Sequence, residues 1–246
     1  MVQNPFVAAA RGFRAILKDR LARVFPAPRA SPIVATDQLI LALSADLRAV
    51  APEAVGRRLA GAAAIGGCVA ALCLDLAFGS RPGLALGSTS LALVVKLLFA
   101  VSLCGMALRL AERLSRPSGE VGAYHLWMAF PIVVLFAVSL GQLLDAPVGA
   151  WAGLVRGRSA FACPGWIMLS SLPPLCALLL VMRRQAPTRP VLTGAVLGVG
   201  AGGVGAAAYA FCCTETAMPF VSIWYTLGIA AVAAVGAVAG ARLLRW

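Results

Sequence analysis

The chain has 246 residues, of which 61% are hydrophobic and only 12% charged, and its formal net charge is +12. A soluble domain carries about 25% charged residues, so this chain has too little polar surface to cover itself in water. The composition excludes an ordinary cytosolic enzyme, a secreted disulfide scaffold and a disordered chain. The apolar residues are then expected in runs of about 20, long enough to cross a bilayer.

The N-terminal residues 1–35 form a basic extension in which apolar side chains are interspersed. Two interpretations stay open for it. The extension is an amphipathic helix that lies on anionic lipid, or it is a variable addition, including one that arises from a start codon assigned too early. A cytoplasmic helix and its linker are predicted to follow at 36–58.

Residues 36–50 have the pattern of a short amphipathic helix. Thr36 is a suitable N-cap, and Asp37 lies in the first turn, where a carboxylate suits the helix dipole. Apolar side chains recur at helical spacing, at Leu39, Ile40, Leu43 and Leu47. Because a helix of this length cannot bury such a stripe by itself, it must dock on the membrane domain, on lipid or on a partner protein. The acidic Asp37 and Asp46 make lipid the least favourable of the three.

Six apolar runs of about 20 residues follow, at 59–78, 91–111, 124–144, 162–182, 190–211 and 219–241. A helix of this length spans a hydrocarbon core of roughly 30 Å and satisfies its own backbone hydrogen bonds in lipid. The pattern therefore predicts an all-α integral membrane protein, with six transmembrane helices in residues 59–246 and the lipid bilayer as their surroundings.

Lysine and arginine are distributed very unevenly between the two sides of this predicted bundle. If the six spans alternate, seventeen of these residues lie on the side of both termini, three lie on the other side, and Lys96 falls within a span. The positive-inside rule then places the N-terminus and the C-terminus in the cytoplasm. Topology thus explains the net charge, and neither stacking aromatics nor a recognisable fold points to direct binding of nucleic acid.

Polar and glycine residues inside the spans lead to two further expectations. Asp75 and Lys96 lie near the same end of neighbouring spans, where they either pair with each other or snorkel to the interface, and snorkelling is slightly favoured. Gly194, Gly198 and Gly202 share one helix face, which permits close approach of another helix, within the chain or across a homodimer.

The sequence also resembles a known family. The matching strings are TDQLI at 36–40, RRL at 57–59, GSRP at 79–82, Lys96, the stretch from Gln142 to Pro147 with Trp151, RRQAPTRP at 183–190, Trp224-Tyr225 and LLRW at 243–246. Over roughly residues 36–246 the chain resembles the NrsF-type membrane anti-sigma factors of Proteobacteria, whereas residues 1–35 fall outside the pattern. The resemblance implies a protein that holds an extracytoplasmic-function sigma factor inactive at the bacterial inner membrane. The predicted sigma-binding residues are then Thr36, Asp37, Leu39, Ile40, Leu43, Asp46 and Leu47.

The same resemblance implies that two cysteines sense heavy-metal or oxidative stress, and it maps them onto Cys163 and Cys213. The predicted topology places both at the outer surface, which is necessary but not sufficient for them to pair or to share a soft metal ion. Cys212 stands where the family often has histidine, and it either replaces that ligand or competes for the disulfide. The cysteines within spans are expected to be apolar fillers, namely Cys68, Cys73, Cys104 and Cys176.

Two other functions remain as alternatives. The outer cysteines 163, 212 and 213 would permit a membrane thiol oxidoreductase, although the sequence has no C-x-x-C pair. A small-solute transporter would need coordinating groups at the midplane and an internal repeat, and neither stands out. No nucleophile–base pair is evident either. The sequence therefore predicts a regulator that is not an enzyme and binds no cofactor.

Overall fold

The computed structural model describes residues 40–41, 44–45, 54–78, 91–116, 122 and 124–245. The predicted extension 1–35 lies outside the described residues, as does most of the segment 36–50. The chain divides into two units, Met1–Val50 and Ala51–Trp246. In the first unit, the described residues are helical and exposed, namely Ile40, Leu41, Ser44 and Ala45.

Regular structure in the second unit, as far as it is described, is entirely helical. Its α-helices are α1 (Ala54–Phe78), α2 (Leu91–Leu114), α3 (Tyr124–Asp145), α4 (Trp151–Arg156), α5 (Ala162–Arg183), α6 (Pro190–Ala210) and α7 (Met218–Leu243). All of them except α4 are long and apolar enough to cross a membrane. The predicted fold class and the six predicted spans are therefore confirmed.

The largest difference from the predicted spans is at the start of α1. The hydropathy pattern places this start at residue 59, whereas the helix begins at Ala54. Arg57 and Arg58 are exposed and do not interrupt it, because a helix can continue beyond the apolar core when its long polar side chains reach the interface. The first span therefore begins with two arginines on its first turns.

The connection between α3 and α5 contains the short helix α4, which the hydropathy pattern does not reveal. This helix follows a 3-10 turn at Val148–Ala150, and two indole N–H groups hold the region in place. Trp151 donates to the carbonyl of Ala146 at 3.2 Å, and Trp224 of α7 donates to the carbonyl of Val155 at 3.0 Å. The second of these bonds fixes α4 against the first turns of α7.

Helices α6 and α7 pack with their backbones in contact. A Cβ built on Gly194 would lie 2.2 Å from the carbonyl oxygen of Gly236, and one built on Gly236 would lie 2.3 Å from the carbonyl oxygen of Gly194. Gly198 and Gly202 also face α7, where a Cβ would meet backbone atoms at 2.6 Å and 3.2 Å. The expectation that this glycine face permits close approach is confirmed, and the approaching helix belongs to the same chain.

The ends of the spans form two groups, since successive spans run in opposite directions. One group is called the thiol end and comprises the helix ends at Phe78, Leu91, Asp145, Ala162, Ala210 and Met218. The other group is called the arginine-rich end and carries Arg57, Arg58, Arg109, Arg113, Arg116, Arg183, Arg184, Arg189, Arg242 and Arg245. Among the described residues, the thiol end carries Arg156 and Arg158 as its arginines.

Candidate functional site

Two cysteines meet at the thiol end. Cys163 is the second residue of α5 and is fully buried, and its N–H donates to the carbonyl of Ser159 at 2.9 Å, in the turn before the helix. Cys213 lies three residues beyond α6, and its N–H donates to the carbonyl of Tyr209 at 3.0 Å. The thiols of Cys163 and Cys213 lie next to each other, and their interaction favours the proton on Cys163 and the thiolate on Cys213. Both are free cysteines, and the structure brings together the two thiols that the resemblance singles out.

Lys96 of α2 also reaches this pair. Its side chain is only 2% exposed, and its ammonium donates to the carbonyl oxygen of Cys213 at 3.3 Å and to that of Glu215. Of the two expectations for this lysine, pairing with Asp75 is wrong, because Asp75 is exposed and the ammonium instead reaches the connection between α6 and α7. Snorkelling to the interface stays a prediction. The segment between α6 and α7 is not helical, so its carbonyls are free to accept from the buried ammonium.

The carboxylate of Glu215 ties the same segment to the turn before α5. Its Oε1 accepts from the N–H of Arg158 at 2.8 Å and from the hydroxyl of Ser159 at 3.3 Å. Gly157 allows this close approach, since its φ is 54° and a Cβ there would come within 3.1 Å of the carboxyl carbon of Glu215. The segment between α6 and α7 is therefore held from two sides, by α2 and by the turn before α5.

Tyr225 of α7 closes the site. It is fully buried, and its ring centroid lies 5.8 Å from the ammonium of Lys96 and 6.3 Å from the ring centroid of Tyr209. Its hydroxyl faces the thiol of Cys213 but has no hydrogen-bond partner of acceptable geometry among the described residues. We define the thiol cluster as Cys163, Cys213, Lys96, Glu215 and Tyr225.

The surroundings of Cys213 lower the pKa of its thiol to about 5. The hydrogen bond from Cys163 contributes most, because it is donated to the sulfur and favours the thiolate. The ammonium of Lys96 and the backbone N–H of Glu215 act in the same direction, whereas burial opposes them by disfavouring charge. The thiolate is the form that attacks oxidants and binds metals, so Cys213 is the nucleophile of the pair.

Alkylation of Cys213 by iodoacetamide is expected to proceed at a nearly constant rate between about pH 6 and pH 8. A pKa of about 5 means that the thiolate predominates above this value and is lost as the pH falls through it. The measurement is the rate of modification of the peptide that contains Cys213, followed by mass spectrometry on the full-length protein in detergent. The variant Cys163→Ala lacks the strongest donor, so its rate should rise about tenfold per pH unit. Identical profiles for the two proteins would contradict this prediction.

The other five cysteines differ in their burial. Cys212 is half-buried, and its N–H donates to the carbonyl of Tyr209 at 2.9 Å, whereas the thiol in contact with Cys163 is that of Cys213. Cys68, Cys73 and Cys176 are exposed, and Cys104 is half-buried. Within the described residues, no three His, Cys, Asp or Glu side chains could hold a metal ion together. A soft ion at the thiol cluster would therefore have two sulfur ligands.

The predicted sigma-binding segment is described only in part. Ile40 is helical and 57% exposed, and Leu41 is 68% exposed. The hydroxyl of Ser44 donates to the carbonyl of Leu41 at 3.0 Å, one helical turn away. The other predicted residues lie outside the described part of the chain, namely Thr36, Asp37, Leu39, Leu43, Asp46 and Leu47.

Sequence reasoning missed the contribution of three residues of the cluster. Lys96 gave a detectable signal, because a charged residue within a span is rare and often functional, but its partners are backbone carbonyls of a distant segment. Tyr225 entered only as part of the family resemblance, without a role. Glu215 lies in a short polar connection, and no pattern in the sequence marks it.

The chain is similar to known proteins over most of its length. The sequence pattern of the NrsF family, described as "Negative regulator of sigma F", matches residues 43–246. The anti-sigma-F factor NrsF of Caulobacter vibrioides (strain NA1000 / CB15N) is 38% identical over 214 residues, which cover 86% of this chain and 99% of that protein. The probable anti-sigma-F factor NrsF of Azospira oryzae (strain ATCC BAA-33 / DSM 13638 / PS) is 33% identical over 211 residues, with coverages of 86% and 99%. No solved structure matches the chain.

Proposed function

The chain belongs to the NrsF family of negative regulators of sigma F, and from this premise we propose that it is an anti-sigma factor of the bacterial inner membrane. It binds an extracytoplasmic-function sigma factor through helix 36–50 and releases it when the thiol cluster reacts with an oxidant or a heavy-metal ion. The observation that carries the proposal is the contact between Cys163 and Cys213 in a chain whose relatives are named anti-sigma-F factors. In this role the protein is a regulator and has no catalytic activity of its own.

The distribution of arginine supports the orientation that this function needs. Because the end of a membrane bundle with more arginine faces the cytoplasm, the arginine-rich end is the cytoplasmic one. Helix α1 begins at this end, so the segment that precedes it, including residues 36–50, is on the side where a sigma factor is found. The thiol cluster is then on the outer side, where metal ions and oxidants from the environment arrive first.

The apolar stripe of helix 36–50 supports a protein partner. Burial of its four apolar side chains is worth about 6–12 kcal/mol before the costs of association are subtracted. Ile40, a member of this stripe, is exposed on a helical turn, so it is available for docking. Asp37 and Asp46 would add contacts with basic side chains of the sigma factor, which favour the correct orientation of the two proteins.

The chemistry of the cysteine pair supplies the switch. In oxidation, the two thiols lose two protons and two electrons to a two-electron oxidant such as a peroxide, and a bond forms between the sulfur atoms of Cys163 and Cys213. A soft metal ion instead binds both sulfurs and displaces their protons. A disulfide bond is only about 2.05 Å long, much shorter than a hydrogen bond between thiols. The two sulfurs must therefore approach each other, and the repacking of their side chains starts the conformational change that ends in release.

The variant Leu39→Asp tests the docking step. A charge in the middle of a buried apolar stripe is expected to cost at least about 2 kcal/mol, which corresponds to about 30-fold weaker binding of the sigma factor. The measurement is co-purification of the co-expressed sigma factor with the full-length protein in detergent, followed by titration of the sigma factor onto the protein in nanodiscs.

A matched control is Ala45→Asp, which places the same charge on the same helix but on the face opposite the stripe. This position is helical and exposed, so the control should retain the sigma factor at the level of the unaltered protein. Retention by Leu39→Asp at that same level would show that helix 36–50 does not dock in the proposed way.

A further inference from the structure

Lys96 occupies an energetically unfavourable place that its hydrogen bonds must compensate. A buried ammonium without partners costs several kcal/mol, and this side chain is 2% exposed within a membrane-spanning helix. An ammonium has three donor hydrogens, and two of them serve the carbonyls of Cys213 and Glu215. The same ammonium makes a cation–π contact with the face of the Tyr225 ring. All these contacts are made within the thiol cluster.

The two cysteines of the pair differ in how firmly their backbones are held. Cys163 is fixed, because its side chain is fully buried and it lies in the first turn of a long helix. Cys213 lies in the irregular segment between α6 and α7, where the backbone has far more freedom. A single side chain that bonds the carbonyls of residues 213 and 215 fixes this segment at the point that carries the thiol.

We propose that Lys96 is a positioning residue for the thiol pair, which holds the backbone of residues 213–215 so that the sulfur of Cys213 stays opposite Cys163. This inference rests on the proposed function, in which that pair is the sensor. Loss of the ammonium would remove the link to α2 and leave that of Glu215 to the turn before α5. The segment would then have more freedom at Cys213, which would lower the effective concentration of one thiol at the other and make the disulfide harder to form. In the exchange reaction, two protein thiols and one molecule of oxidised glutathione give one protein disulfide and two molecules of reduced glutathione.

The test measures the disulfide equilibrium of the full-length protein in detergent, without a sigma factor. The protein is equilibrated in mixtures of reduced and oxidised glutathione and quenched with N-ethylmaleimide, and the linked peptides of Cys163 and Cys213 are quantified by mass spectrometry. Lys96→Met should lower the equilibrium constant about tenfold, which is a reduction potential about 30 mV less negative. Lys96→Arg, which keeps several donors, should recover most of this loss.

A control variant and a stability measurement separate positioning from a general effect on the fold. Asp75→Asn removes an exposed charge of α1 and should leave the potential unchanged. If Lys96→Met does not fold, Lys96→Gln is measured in its place. Its amide is a shorter donor, so its reduction potential should be less negative than that of the unaltered protein by less than about 30 mV. The thermal midpoint of each variant shows whether the fold is intact.

Three results would overturn the inference: an unchanged potential in Lys96→Met, equal losses in the Met and Arg variants, or a shift to a more negative potential. The last result would mean that the lysine acts only as a counter-charge to the thiolate. Since no sigma factor takes part, these outcomes are independent of whether the thiol pair controls release, which the reporter experiment with Cys163 variants decides.

Discussion

With Cys163 replaced by serine, the protein is expected to retain its sigma factor even when cells meet an oxidant or a heavy metal. Serine is nearly the same size as cysteine, and its hydroxyl can donate to the sulfur of Cys213 as the thiol does. The resting bundle should therefore stay intact. Serine cannot form a disulfide, however, and its hydroxyl is a poor ligand for a soft metal ion, so the variant has lost both reactions of the switch.

The measurement is the output of a sigma-dependent reporter before and after exposure to diamide or to a soft metal salt. The unaltered protein should give a clear increase, whereas Cys163→Ser should stay at its uninduced level under both conditions. The matched control is Cys176→Ser on the same helix, whose side chain is exposed, and this variant should respond normally. Full induction in Cys163→Ser would refute the proposal that the pair is the sensor.

A variant of the neighbouring cysteine tests whether Cys212 competes with Cys213 for Cys163. Cys212 is adjacent in sequence, but the thiol that contacts Cys163 belongs to Cys213. Cys212→Ser is therefore expected to retain most of the induction, and Cys213→Ser to lose it. The opposite result would show that Cys212 is the partner in the reacted state.

The architecture of the membrane domain could be predicted from the sequence because one dominant physical constraint determines it. A helix must carry about 20 apolar residues to cross the hydrocarbon core, and each of the six runs does so. The glycine face of α6 could also be predicted, because a spacing of four residues keeps Gly194, Gly198 and Gly202 on one side of a helix. Helix α4 escaped prediction, since it is stabilised by the indole N–H groups of Trp151 and Trp224 and not by a local pattern.

The site was less predictable, because its contacts join residues that are far apart in the sequence. Spacing alone does not pair Cys163 with Cys213, and only the family resemblance singled them out. The role of Lys96 depends on carbonyls that lie more than a hundred residues away in the chain. A charged residue within a span can be recognised in the sequence, because its burial costs free energy. The backbone carbonyls that compensate this cost cannot be recognised there.

The packing of α6 on α7 leads to the largest expected effect on stability. In the variant Gly236→Val, the new Cβ would lie 2.3 Å from the carbonyl oxygen of Gly194 and 2.9 Å from the Cα of Gly198. These are backbone atoms, which cannot move aside as the end of a flexible side chain can. The two helices must separate, and we expect a loss of about 3 kcal/mol or more in the free energy of unfolding. Since α6 leads into the segment that carries Cys213, the same separation should disturb the thiol pair.

The measurement is the thermal midpoint of the full-length protein in detergent, followed by the yield of the Cys163–Cys213 disulfide in oxidised glutathione. Gly61→Val is the matched control, because a Cβ at Gly61 would meet no heavy atom within 4 Å. This control should keep the midpoint and the disulfide yield of the unaltered protein, while Gly236→Val should lower both. Equal midpoints for the two variants would mean that α6 and α7 are not in backbone contact. A lower midpoint with an unchanged disulfide yield would mean that the thiol end is positioned independently of this packing.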